Sequence, residues 1–574
     1  MLREIKSIPV KLNRILDRRR KIFLVVLFFM TILYSLGETV GVSIVMPFIS
    51  AASNPDLVYS GYYKFFYDLS GFPEPHTFII FFGMAIIVFY FVRSIYNIIY
   101  TYLLNRFSFG GYRYFASRLF KVYLALPFRL FVQKNPSAFS QMIIVEANNL
   151  SELLMYSLNM FSESFTVLLL YIFLIFVNWQ VTLVLTVVLI LIVILVFLTL
   201  IRKSKSLGDK RYKASINLNK TVTETFRLFK FIKLKGNEDE IFNTFDDSAS
   251  KVSHTSVIAN TFGTIPKNIL ENFGFSLLIA VVCYILWRYN SAEMVIPVIS
   301  MYALALYRIL PATFRILQDF NKIAFLHRSL HMIYEDLNFE TDIKGSAPLV
   351  FSKSIRGNNL QFSYLTGSSV IRDISFEIRL GEKVAFIGES GSGKTTLVDI
   401  IIGIHRPDQG ELYVDDVKID ATNILSWRSK VGYIPQGIYL FDGTVAENVS
   451  FGSKRDDGQI IDVLKKAKIW DFLETKEGLS TRVGEGGIQL SGGQQQRIGI
   501  ARALYGDPEV LVLDEATSSL DDATEAQIMD EIYDLSGNKT LIIIAHRLST
   551  VARCERKLYI ENGTMKNNAQ KIAD

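Results

Sequence analysis

Six stretches of this chain, residues 22–46, 78–102, 153–177, 181–201, 264–287 and 295–317, are dominated by Leu, Ile, Val and Phe. Each runs close to the ~20 residues that an α-helix needs to cross a bilayer. In lipid every backbone N–H and C=O must be satisfied inside the structure, and a helix does this within a single segment. The apolar runs therefore predict six membrane-spanning helices. After about residue 350 the chain changes character and becomes charged and Gly-punctuated, the pattern of a soluble α/β domain. The 50% hydrophobic content and mean hydropathy of +0.28 average over these two halves.

Six spans place both chain ends on one side of the membrane. Loop 104–152 carries Arg106, Arg113, Arg118, Lys121, Arg129 and Lys134, and loop 201–263 carries Arg202, Lys203, Lys205, Lys210, Arg211 and Lys213. The intervening loops are poor in Lys and Arg, so the basic loops and both termini are expected in the cytoplasm of a multi-pass protein of the inner (plasma) membrane. Periodic apolar residues in the two long loops predict helices that continue well beyond the lipid. The net charge of +6 follows from this sorting and does not imply nucleic acid as a partner. Residues 1–21 read as a basic cytoplasmic anchor, 22–337 as the transmembrane domain, 338–349 as a linker and 350–574 as an α/β P-loop nucleotide-binding domain. Cys283 and Cys554 have no metal-like spacing and read as bystander thiols.

The strand-like Lys383-Val384-Ala385-Phe386-Ile387 runs into Gly388-Glu389-Ser390-Gly391-Ser392-Gly393-Lys394-Thr395-Thr396, the phosphate-binding loop pattern, and then into a helical stretch. Glycines let backbone N–H groups wrap phosphate oxygens, Lys394 adds a cation, and Thr395 offers a hydroxyl to Mg²⁺. Further on, the apolar Val510-Leu511-Val512-Leu513 ends in Asp514-Glu515: one carboxylate for the Mg²⁺ shell and a second placed to polarise an attacking water.

Between and after these lie Leu490-Ser491-Gly492-Gly493-Gln494, Ser518-Ser519-Leu520-Asp521 and Ile544-Ala545-His546. With them, residues 357–563 resemble the ATP-binding-cassette family. The resemblance implies an ATP- and Mg²⁺-dependent hydrolase in which Tyr364 stacks on adenine, Gln436 senses Mg²⁺, Glu515 is the catalytic carboxylate and His546 contacts the γ-phosphate. Ser491, Gly492, Gly493, Gln494 and Asp521 match family positions at the nucleotide, with Ser491 and Gly493 serving the ATP held by a second cassette. Two copies must then sandwich two ATPs, and the intact motifs favour a second identical subunit. Thr481-Arg482-Val483-Gly484-Glu485-Gly486-Gly487 resembles the segment by which ABC exporters touch their membrane domain, which implies a half-transporter of the exporter (type IV) architecture.

Charged residues inside spans cost about 2.5–3.5 kcal/mol each on insertion scales and so face protein or a water-filled path. Glu38, Arg93, Lys267, Arg308 and Arg315 are such residues. Two readings fit Glu38, an ion pair with Arg93 or contact with cargo, and Lys267 either pairs with Glu271 one turn on or faces cargo. Arg308 and Arg315 share a helix face, and Asp319 is the one carboxylate near them in sequence, serving Arg315 alone. An anionic, phosphorylated cargo is the expectation, against packing or inner-leaflet headgroups. The outer-loop stretch Val58-Tyr59-Ser60-Gly61-Tyr62-Tyr63-Lys64-Phe65-Phe66-Tyr67 is aromatic enough to anchor at the interface or to meet a lipid tail.

Ile44-Val45-Met46-Pro47-Phe48-Ile49, Phe229-Lys230-Phe231-Ile232-Lys233-Leu234-Lys235, Leu304-Ala305-Leu306-Tyr307-Arg308-Ile309-Leu310-Pro311 and Ile434-Pro435-Gln436-Gly437-Ile438-Tyr439-Leu440-Phe441 resemble PglK-type lipid-linked oligosaccharide flippases. The implied cargo is a polyprenyl-pyrophosphate-linked oligosaccharide used in protein glycosylation, with membrane lipids as the other partner. Export of lipid A, drugs or peptides on the same scaffold is the alternative.

Overall fold

A computed structural model describes residues 10–566 except 178, 290–295, 343, 365–368, 515–521 and 546–549. The chain divides into two compact units. The first holds residues up to 124 and 134–339, and the second holds 125–133 and 340 onward.

The first unit is a helical bundle. Its long helices are α1 (Arg18–Ser53), α3 (Pro75–Leu124), α4 (Ala147–Val177), α5 (Trp179–Arg227), α6 (Glu238–Tyr289) and α7 (Ile296–Leu337), with a short α2 (Gly61–Ser70) between the first two. The segments containing α1, α3 and α4 have 18-residue windows of mean hydropathy 2.0, 2.3 and 1.8, enough to cross a membrane. The other three expected spans lie on α5, α6 and α7 and contain residues whose side chains fall outside the described set. At 1.5 Å per residue the 50 residues of α3 are about 75 Å long, more than twice the ~30 Å hydrocarbon thickness. The expected extension beyond the lipid follows from that length.

Capping and packing explain the ends and the contacts. Asp17 opens α1 by accepting from the Arg20 N–H at 3.0 Å, and Gly71 closes α2 in the left-handed region at φ 67°. Leu27, Phe115, Leu119, Leu150, Leu153, Leu326, Leu330 and Ile333 form one core, and Leu170, Leu174, Leu270, Leu306, Ile309 and Leu310 another. The described part of the basic N-terminal segment is bound to the bundle. Ile15 and Leu16 are buried, Lys11 Nζ lies 3.0 Å from His331 Nδ1, and Arg14 donates to the Tyr334 hydroxyl at 2.9 Å.

The second unit has an antiparallel sheet ordered β2-β1-β4-β5 and a mainly parallel sheet ordered β10-β9-β3-β8-β7-β6. Here β1 is Ser354–Ser363, β2 Ser369–Arg379, β3 Lys383–Ile387, β4 Gln409–Val414, β5 Val417–Lys418, β6 Val431–Ile434, β7 Val510–Asp514, β8 Thr540–Ala545, β9 Arg556–Glu561 and β10 Thr564–Lys566. The central strands are buried on both faces. Val384 and Phe386 join one core and Ala385 the other, and Val510 and Val512 alternate in the same way with Leu511 and Leu513. Double burial is why these strands read as unbroken apolar runs.

Of residues 338–349, read as linker, the described ones from 340 onward belong to this unit. Gly345 N–H donates to Ala421 O at 2.6 Å, Ala347 N–H to Thr422 O at 2.8 Å, and Leu349 is buried. Residues 125–133 also belong to it, through Arg129 Nη1 to Asp408 Oδ1 at 2.8 Å and Gln133 Nε2 to Tyr364 O at 2.8 Å.

In the bundle, a Cβ on Gly208 of α5 would lie 2.3 Å from the Phe325 carbonyl oxygen of α7. Gly208→Ala should force the two helices apart, costing about 1–3 kcal/mol of overpacking. Thermal unfolding of the purified protein should show a lowered transition, and an unchanged one would contradict the close approach.

Candidate nucleotide site and membrane charge cluster

The phosphate loop lies between β3 and helix α8 (Lys394–Ile401). Gly391 and Gly393 have φ of 80° and 103°, backbone that L side chains rarely adopt. A Cβ on Gly388 would come within 2.1 Å of Ile560 O. Lys394 is buried and its Nζ donates to the Gly388 and Glu389 carbonyls, both at 2.8 Å, so the cation already sits inside the loop. Ser392 Oγ is buried without a hydrogen-bond partner among the described residues. An orphaned hydroxyl, a cation and N–H groups at a helix start in one loop fit the phosphates of ATP.

The magnesium candidates Thr395 and Asp514 come together, with Thr395 Oγ1 3.5 Å from Asp514 Oδ1. Asp514 Oδ2 accepts from the Tyr433 hydroxyl at 3.0 Å. A hydroxyl and a carboxylate at this spacing suit a hard cation such as Mg²⁺. Burial, followed by the charge of Asp514, pushes the nearby Asp399 carboxyl up to about 7. Tyr364 directly follows β1 and its hydroxyl lies 3.2 Å from Thr396 Oγ1, beside the phosphate-loop helix. Gln436 is exposed in the turn after β6. Ser491 caps helix α9 (Gly492–Leu504): its Oγ accepts from Gln494 N–H at 3.3 Å while Gln494 Oε1 accepts from Ser491 N–H at 2.9 Å. This reciprocal box fixes Gly492 and Gly493 in the first turn. Glu515, Asp521 and His546 lie outside the described residues.

Near the nucleotide loop, His405 is 3% exposed and stacked 4.6 Å from Phe362, with Tyr364 and Phe128 also against its ring. Sequence reading passed over it because a single histidine in a loop carries no spacing signal.

In the membrane unit the arginine expectation needs correction. Arg308 and Arg315 do have acidic partners, supplied by other helices. Arg308 Nη2 lies 2.5 Å from Glu38 Oε2 on α1, and Arg315 on α7 grips Glu163 on α4 with Nε and Nη2 at 2.6 and 3.1 Å. A search at i±4 misses such partners, because neighbouring helices bring together residues more than a hundred positions apart. The signal that was missed is Glu163 itself, a carboxylate inside the third apolar run. Glu38 also pairs with Arg93, Nη2 at 2.5 Å and Nε at 3.1 Å, the first of its two readings. Lys267 Nζ lies 3.9 Å from Glu271 Oε1, one turn on.

A nucleotide-loop domain of this topology, in one chain with a long-helix bundle apolar enough to cross a membrane, defines an ATP-driven membrane transporter. Residues 371–518 match the ABC transporter family and residues 21–307 the ABC transporter transmembrane region, and the chain belongs to the ABC transporter family as an ATP-hydrolysing exporter. It is 28% identical over 444 residues to an ATP-dependent lipid A-core flippase of Paraburkholderia xenovorans (strain LB400), covering 75% of this chain and 74% of the relative. It is 30% identical over 400 residues to the protein of the same name in Saccharophagus degradans (strain 2-40), covering 68% and 67%. A multidrug resistance ABC transporter ATP-binding and permease protein of Lactococcus lactis (strain IL1403) is 25% identical over 456 residues, covering 78% and 77%. The solved structure of a bacterial Atm1-family ABC exporter with ATP bound shares the fold, with a TM-score of 0.77 at 20% identity over 96% of this chain and 94% of that one.

His405 provides a pH test of the cassette. Burial first, then the Arg129 guanidinium, pushes its pKa from 6.5 down to about 4, and Asp342 opposes this. A depressed histidine is neutral when folded but protonates when unfolded, so its stabilising contribution is present above pH 6.5 and is lost as pH falls toward 4. The purified protein should lose thermal stability across that window. His405→Phe keeps the stacking and should flatten the slope; an unaltered slope would assign it to other groups.

Proposed function

We propose that two copies of this chain form an ATP-driven flippase that moves a lipid-(pyro)phosphate-linked oligosaccharide from the cytoplasmic to the outer leaflet of the inner (plasma) membrane, both termini being cytoplasmic. The observation that carries this reading is the guanidinium cluster. Arg93, Arg308 and Arg315 all sit on apolar helices, with side chains 21%, 21% and 37% exposed. Planar, partly accessible guanidinium groups in an apolar setting suit phosphate oxygens, which accept from them bidentately. Lys267 is the fourth candidate contact.

Two further observations support a lipid cargo. Helix α2 presents Tyr62, Phe65, Phe66 and Leu69, each more than half exposed. With Ile44, Pro47, Phe81 and Phe82 it borders an apolar cavity of about 640 Å³, which suits a lipid tail. The relatives named ATP-dependent lipid A-core flippases have lipid A-core as their named cargo, and export of lipid A is the second reading.

In the cassette, Lys394 and the amides of 388–396 hold the ATP phosphates, Thr395, Asp514 and Gln436 hold Mg²⁺, and Tyr364 holds the base. Glu515 polarises the attacking water and His546 contacts the γ-phosphate, while Ser491, Gly492, Gly493, Gln494 and Asp521 complete the site of the second copy. When bound, Mg²⁺ neutralises charge on the transferred phosphoryl group.

Reconstituted into liposomes, the protein should hydrolyse ATP faster with a polyprenyl-pyrophosphate-linked oligosaccharide than with lipid A or a hydrophobic cationic dye. Stimulation by lipid A alone would favour the second reading, and by the dye alone would remove both. Glu515→Gln should lower turnover about 10²-fold or more and accumulate an ATP-bound dimer; near-normal turnover would take the general-base role from Glu515.

A further inference from the structure

Glu38 is 2% exposed, yet it faces two cations. Its Oε1 takes Arg93 Nε at 3.1 Å, Arg93 Nη2 at 2.5 Å and Asn97 Nδ2 at 3.2 Å, and its Oε2 lies 2.5 Å from Arg308 Nη2. Each guanidinium offers five N–H donors, and one carboxylate serves both. The poor fit is visible at Arg308: among the described residues its Nε and the Glu38 Oε2 that faces it are both buried without a hydrogen-bond partner, and its Nη2 donates to the Tyr34 hydroxyl at 3.5 Å. Room for the Arg93 head is made by Gly41, where a Cβ would lie 2.6 Å from Arg93 Nη1. The carboxylate is therefore the inner member of the group, and its two partly accessible cations are the outer ones.

We propose that Glu38 is an internal stand-in for the phosphate of the cargo, occupying Arg93 and Arg308 when no lipid is bound and releasing them to it. This rests on the lipid-phosphate reading above and assigns the residue that sets its selectivity. Two arginines without a counter-ion would be costly in an apolar bundle, so an empty transporter needs an anion of its own. A built-in carboxylate then becomes a competitor. A cargo gains entry only if its oxygens satisfy the two forks better than one carboxylate does, which a pyrophosphate achieves and a singly charged headgroup does not.

The test is equilibrium binding to the full-length transporter in lipid nanodiscs, with undecaprenyl pyrophosphate and with phosphatidylglycerol as probes. Wild type should bind the first and discriminate against the second. E38Q, which keeps the shape and removes the charge, should bind undecaprenyl pyrophosphate about tenfold more tightly and lose most of its discrimination against phosphatidylglycerol. Equal or weaker pyrophosphate binding by E38Q, with wild type still binding, overturns the stand-in role and leaves the lipid-phosphate reading intact: Glu38 is then a helix clamp. Failure of wild type to bind undecaprenyl pyrophosphate overturns both. Should E38Q not fold, Glu38→Asp keeps the charge on a shorter arm that reaches the two forks less well. A smaller gain in affinity is expected there, and no gain overturns the proposal.

Discussion

Glu38 ties α1 to α3 through Arg93 and to α7 through Arg308, and Glu163 ties α4 to α7 through Arg315. In an apolar bundle an unpaired buried charge costs several kcal/mol, so such a pair resists separation unless another group replaces a partner. Four of the long helices are thereby held by contacts that are directional, unlike the Leu and Phe packing around them. Thr166 Oγ1, bonded to Ser35 Oγ at 2.9 Å, adds a neutral link of the same kind between α1 and α4. Apolar packing sets how closely the helices approach, while the ion pairs select which faces meet.

The cassette depends on a different constraint. Its parallel strands are covered on both faces, so the polar chemistry is confined to strand ends and the loops that leave them. Gly388 begins such a loop after β3, and Asp514 closes β7. Although β8 lies between these two strands, Thr395 and Asp514 are brought to 3.5 Å, because the loop folds back over the strand ends before α8 begins. Close packing against Ile560 O makes glycine obligatory at 388 for the same reason: the loop lies on the end of β9, leaving no room for a side chain.

Local sequence carried the cassette and the helical bundle because both are written in short-range patterns. The phosphate loop is one contiguous segment, the strands are contiguous apolar runs, and a bilayer-long helix declares itself by length. Ion-pair partners follow no such rule. Arg315 and Glu163 are 152 positions apart and Arg308 and Glu38 are 270, so the i±4 rule could find Lys267 with Glu271 and nothing longer. The same limit hid the membership of residues 125–133 in the second unit. Only the fold places Arg129 beside Asp408, 279 positions away. His405 escaped notice because burial, which depresses its pKa, is a property of the packed loop and not of the loop's composition.

Cargo choice among transporters of this family has to reside where their chemistry differs. On the proposed function, cassette residues such as Lys394, Thr395 and Asp514 meet the same nucleotide whatever is carried, so their environment is constrained by ATP alone. On the same proposal, residues of the membrane unit meet the cargo, and a cargo with an apolar tail and a phosphorylated head poses two separate demands. An apolar cavity such as that beside α2 can accept many tails, because dispersion and the hydrophobic effect do not discriminate finely by shape. Discrimination of the head requires donors whose satisfaction depends on charge and geometry, and arginines already held by a carboxylate meet that requirement better than free ones. Free arginines would accept any anion, whereas arginines that must exchange one anion for another impose a threshold. On the proposed function, the Arg93–Glu38–Arg308 group would select the headgroup while the apolar cavity beside α2 would accept varied tails, a division of labour that follows from the different ranges of charge and apolar contact.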